Sequence, residues 1–105
     1  RRKSKIVALR TNMALTQEKA VEEARKDLAK RLSVSENDVR EGSVAKVEFP
    51  DMSLGAPANG EMSAQMISTG WKINLNAKGK NYEYRADKYQ LRLKDFDGAN
   101  YVIIS

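Results

Sequence analysis

The sequence predicts an α+β domain in which one N-terminal helix packs on a four-stranded antiparallel meander, with a fifth strand if the last apolar segment joins the sheet. Two observations carry this prediction. Apolar residues recur at helical spacing over residues 17 to 32, and three later segments alternate apolar and polar residues in mutually consistent registers. The 105 residues suffice for one domain with a modest core, and 41% hydrophobic with 31% charged residues is typical of globular proteins.

The predicted helix has one apolar stripe and one charged side. The stripe consists of Ala20, Val21, Ala24, Leu28 and Leu32. Thr16 precedes the helix as an N-cap, Glu18 lies in the first turn, and Lys30 lies in the last turn, which suits the helix dipole. The charged side is expected to face solvent, and the turn formers of residues 33 to 38 should end the helix.

A first strand is predicted from Gly42 to Phe49, with Pro50 as its end. Its two faces carry Ala45, Val47 and Phe49 on one side and Lys46 and Glu48 on the other. Residues 50 to 66 contain both prolines and two glycines without a clear period, so we predict a long loop. Loops of this length are uncommon in compact domains unless a function or disorder accounts for them.

Three further strands follow, joined by two-residue turns at Lys78-Gly79 and Lys88-Tyr89. The predicted pairs are Leu75 with Tyr82, Ile73 with Tyr84, Trp71 with Ala86, Tyr84 with Leu93, Ala86 with Leu91, and Glu83 with Lys94. Both registers place the large apolar side chains on one face, which the helix would cover, and a slip of one residue would turn them to solvent.

The opposite face of the predicted sheet is polar, has a positive bias and lacks aromatic residues. It consists of Lys72, Asn74, Asn76, Asn81, Glu83, Arg85, Arg92 and Lys94. Sheets and grooves that bind RNA or single strands stack bases on exposed aromatic rings. The sequence therefore argues against a nucleic-acid partner, and these side chains are expected to be solvated.

The first 14 residues form a basic N-terminal segment, either a tail or an edge strand, and residues 15 to 105 form the α+β domain. Five basic residues lie among the first ten, and the remaining 14 basic residues balance 14 acidic ones.

Residues 6 to 9 and 101 to 104 are short and strand-like. They would pair with each other, extend the sheet edge, or exchange between protomers, so the oligomeric state stays open. The chain begins at Arg1, which suggests a processed or excised fragment, and a membrane partner is expected only through an anchor upstream of it.

Cysteine and histidine are absent, which removes thiol nucleophiles, imidazole bases and the usual zinc ligands. The stretch from Asp95 to Asn100 matches a calcium loop only in part, and a turn leading into a last strand is favoured. Ser53 has no histidine to activate it. We predict no cofactor, no metal site and no enzymatic activity.

Three stretches resemble a family of small, mostly secreted or lipoprotein-borne microbial domains of unknown function. They are residues 49 to 60, which read Phe-Pro-Asp-Met-Ser-Leu-Gly-Ala-Pro-Ala-Asn-Gly, the stretch Gly-Trp-Lys-Ile-Asn-Leu from residue 70, and residues 80 to 87. Family members read Trp-Pro-Asp-x-Ser-Leu-Gly-Cys-Pro in the first stretch. This chain has Phe49 for the tryptophan, Ala56 for the cysteine and Arg85 for a histidine, so thiol or imidazole chemistry cannot operate here. The resemblance implies an extracytoplasmic location and no established activity.

The leading hypothesis is a non-enzymatic interaction module that displays the loop of residues 50 to 66 to a protein or peptide partner. Its predicted contact residues are Asp51, Met52, Ser53, Leu54, Gly55, Pro57, Met62 and Met66. In the structural alternative, Leu54 and Met66 fold back to cap the core. A helix on an antiparallel sheet with a protruding loop is similar to the cystatin arrangement, and inhibition of a protease by loop insertion is a specific version of the hypothesis.

Two other classes of function remain open from the sequence. An anion-binding protein for nucleic acid or an acidic membrane surface would use Arg1, Arg2, Lys3, Lys5, Lys72, Arg85, Arg92 and Lys94. A hydrolase would need an unrecognised carboxylate or serine site inside a deep pocket.

Overall fold

The structure, a computed structural model, describes residues 14–105 as one helix followed by a five-stranded antiparallel sheet. The elements are helix α1 (Gln17–Leu32), a short 3-10 helix (Glu36–Asp38), and the strands β1 (Arg40–Phe49), β2 (Ser68–Ala77), β3 (Lys80–Ala86), β4 (Leu91–Phe96) and β5 (Ala99–Ile104). The strands lie in the order β1-β2-β3-β4-β5, so each is paired with its neighbour in sequence. The predicted α+β class is confirmed, in its five-stranded form.

Helix α1 begins and ends where its capping residues predict. The Thr16 hydroxyl accepts a hydrogen bond from the Lys19 N–H at 3.1 Å. At the other end Ser33 adopts a left-handed conformation, with φ of 57°, and its N–H donates to the carbonyls of the last turn. No helix among residues 14–105 is long and apolar enough to cross a membrane.

Every cross-strand residue pair predicted from the sequence is present in the structure. Both central residues of the β2–β3 turn, Lys78 and Gly79, have positive φ, as the tight hairpin turn requires. The observed pairs include Leu75 with Tyr82, Ile73 with Tyr84, Trp71 with Ala86, Tyr84 with Leu93, Ala86 with Leu91, and Glu83 with Lys94. Strand β1 begins two residues earlier than predicted and has a register shift around Gly42.

The main core lies between α1 and one face of the sheet, which we call the inner face. It contains Ala20, Val21, Ala24, Leu28, Ala29, Val39, Ile73, Leu75, Ala77, Tyr84, Ala86, Leu91 and Leu93, with Trp71 half-buried at its margin. The Tyr84 hydroxyl donates to Asp27 Oδ2 at 2.7 Å, and burial together with this carboxylate raises the pKa of Tyr84 above its usual range. The amphipathic stripe of α1 therefore covers the sheet as predicted.

The C-terminal segment extends the edge of the sheet, which was one of three predicted possibilities. Asp97 and Gly98 form the turn between β4 and β5, both with positive φ, and Phe96 pairs with Ala99 across it. The predicted roles of residues 1 to 13, including a pairing of residues 6 to 9, lie outside the described residues.

Candidate functional site

The loop between β1 and β2 packs on the outer face of the sheet, opposite α1. Phe49, Leu54 and Ala56 are buried, although none of them belongs to the main core. The prediction of a free loop above a solvated outer face is therefore wrong for residues 53 to 56. The physical reason is that Phe49 points to the outer face, where leaving its ring in water would be costly. Its ring is buried there, with the Arg85 guanidinium 5.5 Å from its centroid, and Arg85 in turn binds the loop through Leu54 O.

Asp51 organises the first turn of this loop. Its Oδ1 accepts hydrogen bonds from the Gly55 N–H at 3.0 Å, the Ser53 N–H at 3.0 Å and the Ser53 hydroxyl at 2.8 Å. The Gly55 bond is the largest of the causes that lower the pKa of Asp51. Leu54 and Gly55 both have positive φ, which favours glycine at position 55, and a side chain there would also displace the Arg85 guanidinium.

Side chains of the sheet hold the loop by four of its main-chain carbonyls. The four bonds are Gln90 Nε2 to Met52 O at 2.6 Å, Arg85 Nη1 to Leu54 O at 2.9 Å, Arg92 Nη1 to Ala56 O at 3.1 Å, and Asn100 Nδ2 to Pro57 O at 2.9 Å. The donors come from β3, β4, β5 and the residue before β4, so three strands fix the path of the loop. Polar groups buried under a loop need such partners, because an unpaired buried carbonyl costs about 1–3 kcal/mol.

Arg92 is the centre of this arrangement, with only 4% of its surface exposed. Its two terminal nitrogens bind the Glu61 carboxylate in a fork at 2.5 and 2.8 Å, and its Nε donates to Gln90 Oε1 at 2.7 Å. The Arg92 fork, followed by the hydrogen bond that the Ala58 N–H donates to Glu61, lowers the pKa of Glu61 from 4.5 to about 2. A buried guanidinium with every nitrogen engaged is a structural clamp between β4 and the loop.

A second polar cluster joins the start of β2 to the turn before β4. The buried Asp87 carboxylate accepts hydrogen bonds from the Ser68 hydroxyl at 2.7 Å and from the N–H groups of Tyr89 at 2.8 Å and Gln90 at 3.0 Å. Gln90 also reaches the loop through Met52 O. The turn of residues 87 to 90 and the two ends of the loop therefore form one connected unit.

This unit exposes a set of large apolar side chains, which we call the apolar tip: Met52, Met62, Met66, Ile67 and Tyr89. Met62 is 95% exposed, Tyr89 72%, Ile67 70% and Met66 62%. The hydrogen bonds Met52 N–H to Ala64 O at 3.0 Å and Gln90 Nε2 to Met52 O connect the backbone segments that carry them. Of the large apolar residues exposed in residues 14–105, only Tyr101 and Val102 lie outside the apolar tip.

The predicted contact residues of the loop thus separate into two groups. Met52, Met62, Met66 and the flanking Pro57 are exposed, whereas Ser53 and Leu54 are buried and Asp51 and Gly55 are partly covered. The structural alternative, in which Leu54 and Met66 fold back to cap the core, is wrong for Met66, which is exposed. Leu54 is buried, but on the outer face and outside the main core. The buried Ser53 hydroxyl donates to Asp51, so it is not presented to a substrate in this conformation.

The predicted anion-binding residues are not brought together as an open basic surface. Arg85 binds Glu83 at 2.6 Å and Arg92 binds Glu61, while Lys94 contacts the exposed carboxylate of Asp95 at 3.0 Å. Lys72 is half-buried, and Arg1, Arg2, Lys3 and Lys5 lie outside the described residues. The prediction that Arg85 and Arg92 form part of an open anion-binding surface is therefore wrong. Both guanidinium groups pair with carboxylates of the protein, because a buried guanidinium must be paired.

A surface depression of about 260 Å³ lies elsewhere, between α1 and β1. It is lined by Gln17, Glu18, Val21, Glu22, Arg25, Glu36 and Glu41, and none of the predicted site residues lines it.

Residues 21–94 match the protein family described as a domain of unknown function, DUF8738. The chain belongs to this family. Comparisons with curated proteins and with solved structures give no match. The part of the chain matched to DUF8738 includes most of α1, strands β1 to β3, the first part of β4 and the whole loop, but not β5. The prediction of a domain family of unknown function is confirmed at this level, while the loop motif, the secreted character and the cystatin likeness stay predictions.

Several residues that shape the DUF8738 loop were not predicted from the sequence. In the sequence nothing distinguishes Glu61, Gln90 and Asn100 from ordinary surface polar residues. Gln90 follows Glu61 by 29 positions, and Asn100 follows Gln90 by 10. Only their hydrogen bonds to Arg92, Met52 and Pro57 reveal their role. The alternation of side chains along the strands does give one indication in the sequence. It places Arg85 and Arg92 on the same face as Phe49, where they can reach the loop.

We expect acid to weaken the attachment of the loop. A carboxyl group whose pKa is lowered on folding contributes stability that is fully present above its ordinary pKa and is lost as the pH falls through its folded value. For Glu61 this window runs from about 4.5 down to about 2, and Asp51 acts in the same direction. Urea unfolding between pH 7 and pH 2 should show a falling free energy of unfolding, with a shallower fall in Glu61→Gln. An equal pH dependence in both proteins would contradict this assignment.

Proposed function

We propose that this DUF8738 domain is a protein-interaction module that binds a protein or peptide partner through its apolar tip. The proposal rests on one observation: a loop and a turn that hydrogen bonds connect to each other and to the sheet carry five large exposed apolar side chains. Exposed apolar groups that cluster at one place on a domain are a common feature of interaction sites.

A fixed loop favours binding because little conformational entropy is lost when a partner orders it. In this domain the backbone is held at Met52, Leu54, Ala56 and Pro57, and the methionine side chains of the loop are exposed. Unbranched methionine side chains adapt to different apolar surfaces, and an exposed tyrosine supplies a rigid contact with one polar group. In this proposal Asp51, Ser53, Leu54 and Gly55 position the loop, and the apolar tip makes the contacts.

The proposal is tested with peptides selected on the wild-type domain from a displayed library of random 12-residue sequences. Dissociation constants of the selected peptides are then measured for wild type and for the double variant Met62→Ser/Met66→Ser. We expect the double variant to bind at least about 30-fold more weakly, because each lost apolar anchor costs about 1 kcal/mol or more. Val102→Thr, which alters an exposed apolar residue outside the apolar tip, is the matched control and should bind like wild type.

Two outcomes would count against the proposal. If selection yields no peptide that binds, or if the methionine variant binds as tightly as wild type, the apolar tip is not the contact surface. The narrower version, in which the loop inhibits a protease, is tested by assaying cysteine and serine proteases with and without the domain. Unchanged rates throughout the panel would discard that version and leave the broader proposal standing.

A further inference from the structure

The sulfur of this chain is concentrated at the apolar tip. The chain has four methionines and no cysteine, and three of the methionines, Met52, Met62 and Met66, lie in the loop of residues 50 to 66. Methionine commonly fills gaps in apolar cores, but none of these three belongs to the main core. Met62 is the most exposed of them at 95%, and Met52 is the least exposed at 38%. All three side chains can therefore be reached by a reagent dissolved in water.

An exposed thioether reacts with hydroperoxides. With hydrogen peroxide, the methionine sulfur gives up two electrons and forms a bond to one peroxide oxygen. The O–O bond breaks, and the second oxygen leaves with both hydrogens as water. The product is a sulfoxide, which turns a flexible apolar side chain into a polar one. No cysteine thiolate is present in the chain to consume the peroxide first.

The fold beneath the apolar tip does not depend on these sulfur atoms. The Asp51 carboxylate organises the first turn of the loop, and side chains of Arg85, Gln90 and Arg92 bind its main-chain carbonyls. Met52 takes part through its N–H and its carbonyl, which oxidation of the sulfur leaves unchanged. Oxidation should therefore alter the surface of the apolar tip and leave the position of the loop as it is.

We propose that the apolar tip is a methionine oxidation site, at which a hydroperoxide converts Met62 and Met66 to sulfoxides and so switches off binding of the apolar partner. The switch rests on the proposed function, because it acts on the same side chains. A partner surface that fits the thioether offers the sulfoxide oxygen no hydrogen bond, and burying an unpaired polar group is unfavourable. Susceptibility follows exposure, so Met62 reacts first and Met52 last.

One test of the site needs no partner. The full 105-residue chain is treated with hydrogen peroxide, and oxidation of each methionine is followed by peptide mass spectrometry. Met62 should be oxidised fastest, near-UV circular dichroism should not change, and the native protein should elute earlier from a hydrophobic-interaction column. Oxidation of Met52 ahead of Met62, unfolding as Met62 is oxidised, or an unchanged elution would each overturn the proposal.

The switch itself is tested with the peptides selected on the wild-type domain. Their dissociation constants should rise at least about tenfold after oxidation, because the anchors have become polar. Methionine sulfoxide reductases with a dithiol should restore binding, since the sulfoxide oxygen leaves as water while the dithiol becomes a disulfide. A loss of binding that this treatment does not restore comes from other damage and overturns the proposal.

Met62→Leu/Met66→Leu is the matched variant, because leucine is apolar, has a similar volume and contains no sulfur. Each protein is compared with its own untreated sample, so a change in basal affinity caused by leucine does not enter the comparison. Peroxide should change the elution and the dissociation constants of this variant much less than those of wild type. Met13 and Met52 remain in it and are thereby controlled. Equal changes in both proteins would assign the effect to other residues and overturn the switch.

The switch and the proposed function fail in different ways. If no peptide is selected, or if Met62→Ser/Met66→Ser binds as tightly as wild type, the proposed function fails and the switch fails with it. If the serine variant binds weakly while oxidised wild type binds as tightly as untreated wild type, the proposed function stands and only the switch is overturned.

Discussion

Replacing Arg92 by alanine should lower the free energy of unfolding by about 2–4 kcal/mol and detach the loop from the sheet. The substitution leaves the Ala56 carbonyl and the Gln90 amide without their partner, and it removes the fork that binds Glu61. Glu61 is partly exposed and can regain water, which places the cost below that of breaking a fully buried ion pair. Urea unfolding measures the first effect, and faster amide exchange in residues 53 to 56 measures the second.

Two controls make the Arg92 prediction specific. Lys94→Ala removes a neighbouring positive charge from the same strand, and its contact with the exposed Asp95 should contribute less than about 1 kcal/mol. Arg92→Lys keeps the charge but cannot make the fork, so it should fall between wild type and Arg92→Ala. If Arg92→Ala and Lys94→Ala were equally stable, Arg92 would not act as a clamp between β4 and the loop. Arg92→Ala should also weaken peptide binding at the apolar tip, because the loop would no longer be held in one conformation on the sheet.

Replacing Gly70 by alanine should destabilise the domain by about 3 kcal/mol or more, the largest effect expected on the sheet itself. A Cβ atom at this position would lie 2.0 Å from the Ala86 carbonyl oxygen and 3.0 Å from the Asp87 Cα. Both are main-chain atoms, so no side-chain rotation can relieve the collision. Since Ala86 pairs with both Trp71 and Leu91, moving its carbonyl would disturb the strand pairs on either side.

Thr69→Ala is the control for Gly70→Ala, because Thr69 is the adjacent residue of β2 and its side chain is exposed. It should cost no more than about 1 kcal/mol, the usual span of strand propensity. Near-UV circular dichroism of Gly70→Ala should lose the signal of Trp71, which pairs with Ala86. A Gly70→Ala protein that unfolds at the same urea concentration as Thr69→Ala would show that the two strands do not approach so closely.

The inner side of this domain was predictable because its signals are local and periodic. The spacing of Ala20, Ala24 and Leu28 indicates a helix with one apolar side, and Thr16 marks its start. The alternation around Ile73 and Tyr84 determines the strand register, because a shift of one residue would expose both side chains. These features depend on neighbours in sequence or on a short turn, so the sequence alone was enough.

The outer side depended on contacts between residues far apart in the sequence. Arg92 reaches Glu61 across 31 positions, and Gln90 reaches the Met52 carbonyl across 38, which no local pattern indicates. The sequence named exposed Met62 and buried Leu54 alike as contact residues, and only the fold of the loop separates them.

By itself the sequence determined the helix, the strand registers and the single apolar face beneath the helix, because apolar periodicity constrains each of them. Only the tertiary structure decided that the loop is clamped to the outer face, that Arg85 and Arg92 serve the loop, and that five apolar side chains remain in solvent. The physical reason is that long-range hydrogen bonds satisfy buried polar groups one by one, and their partners follow no sequence period.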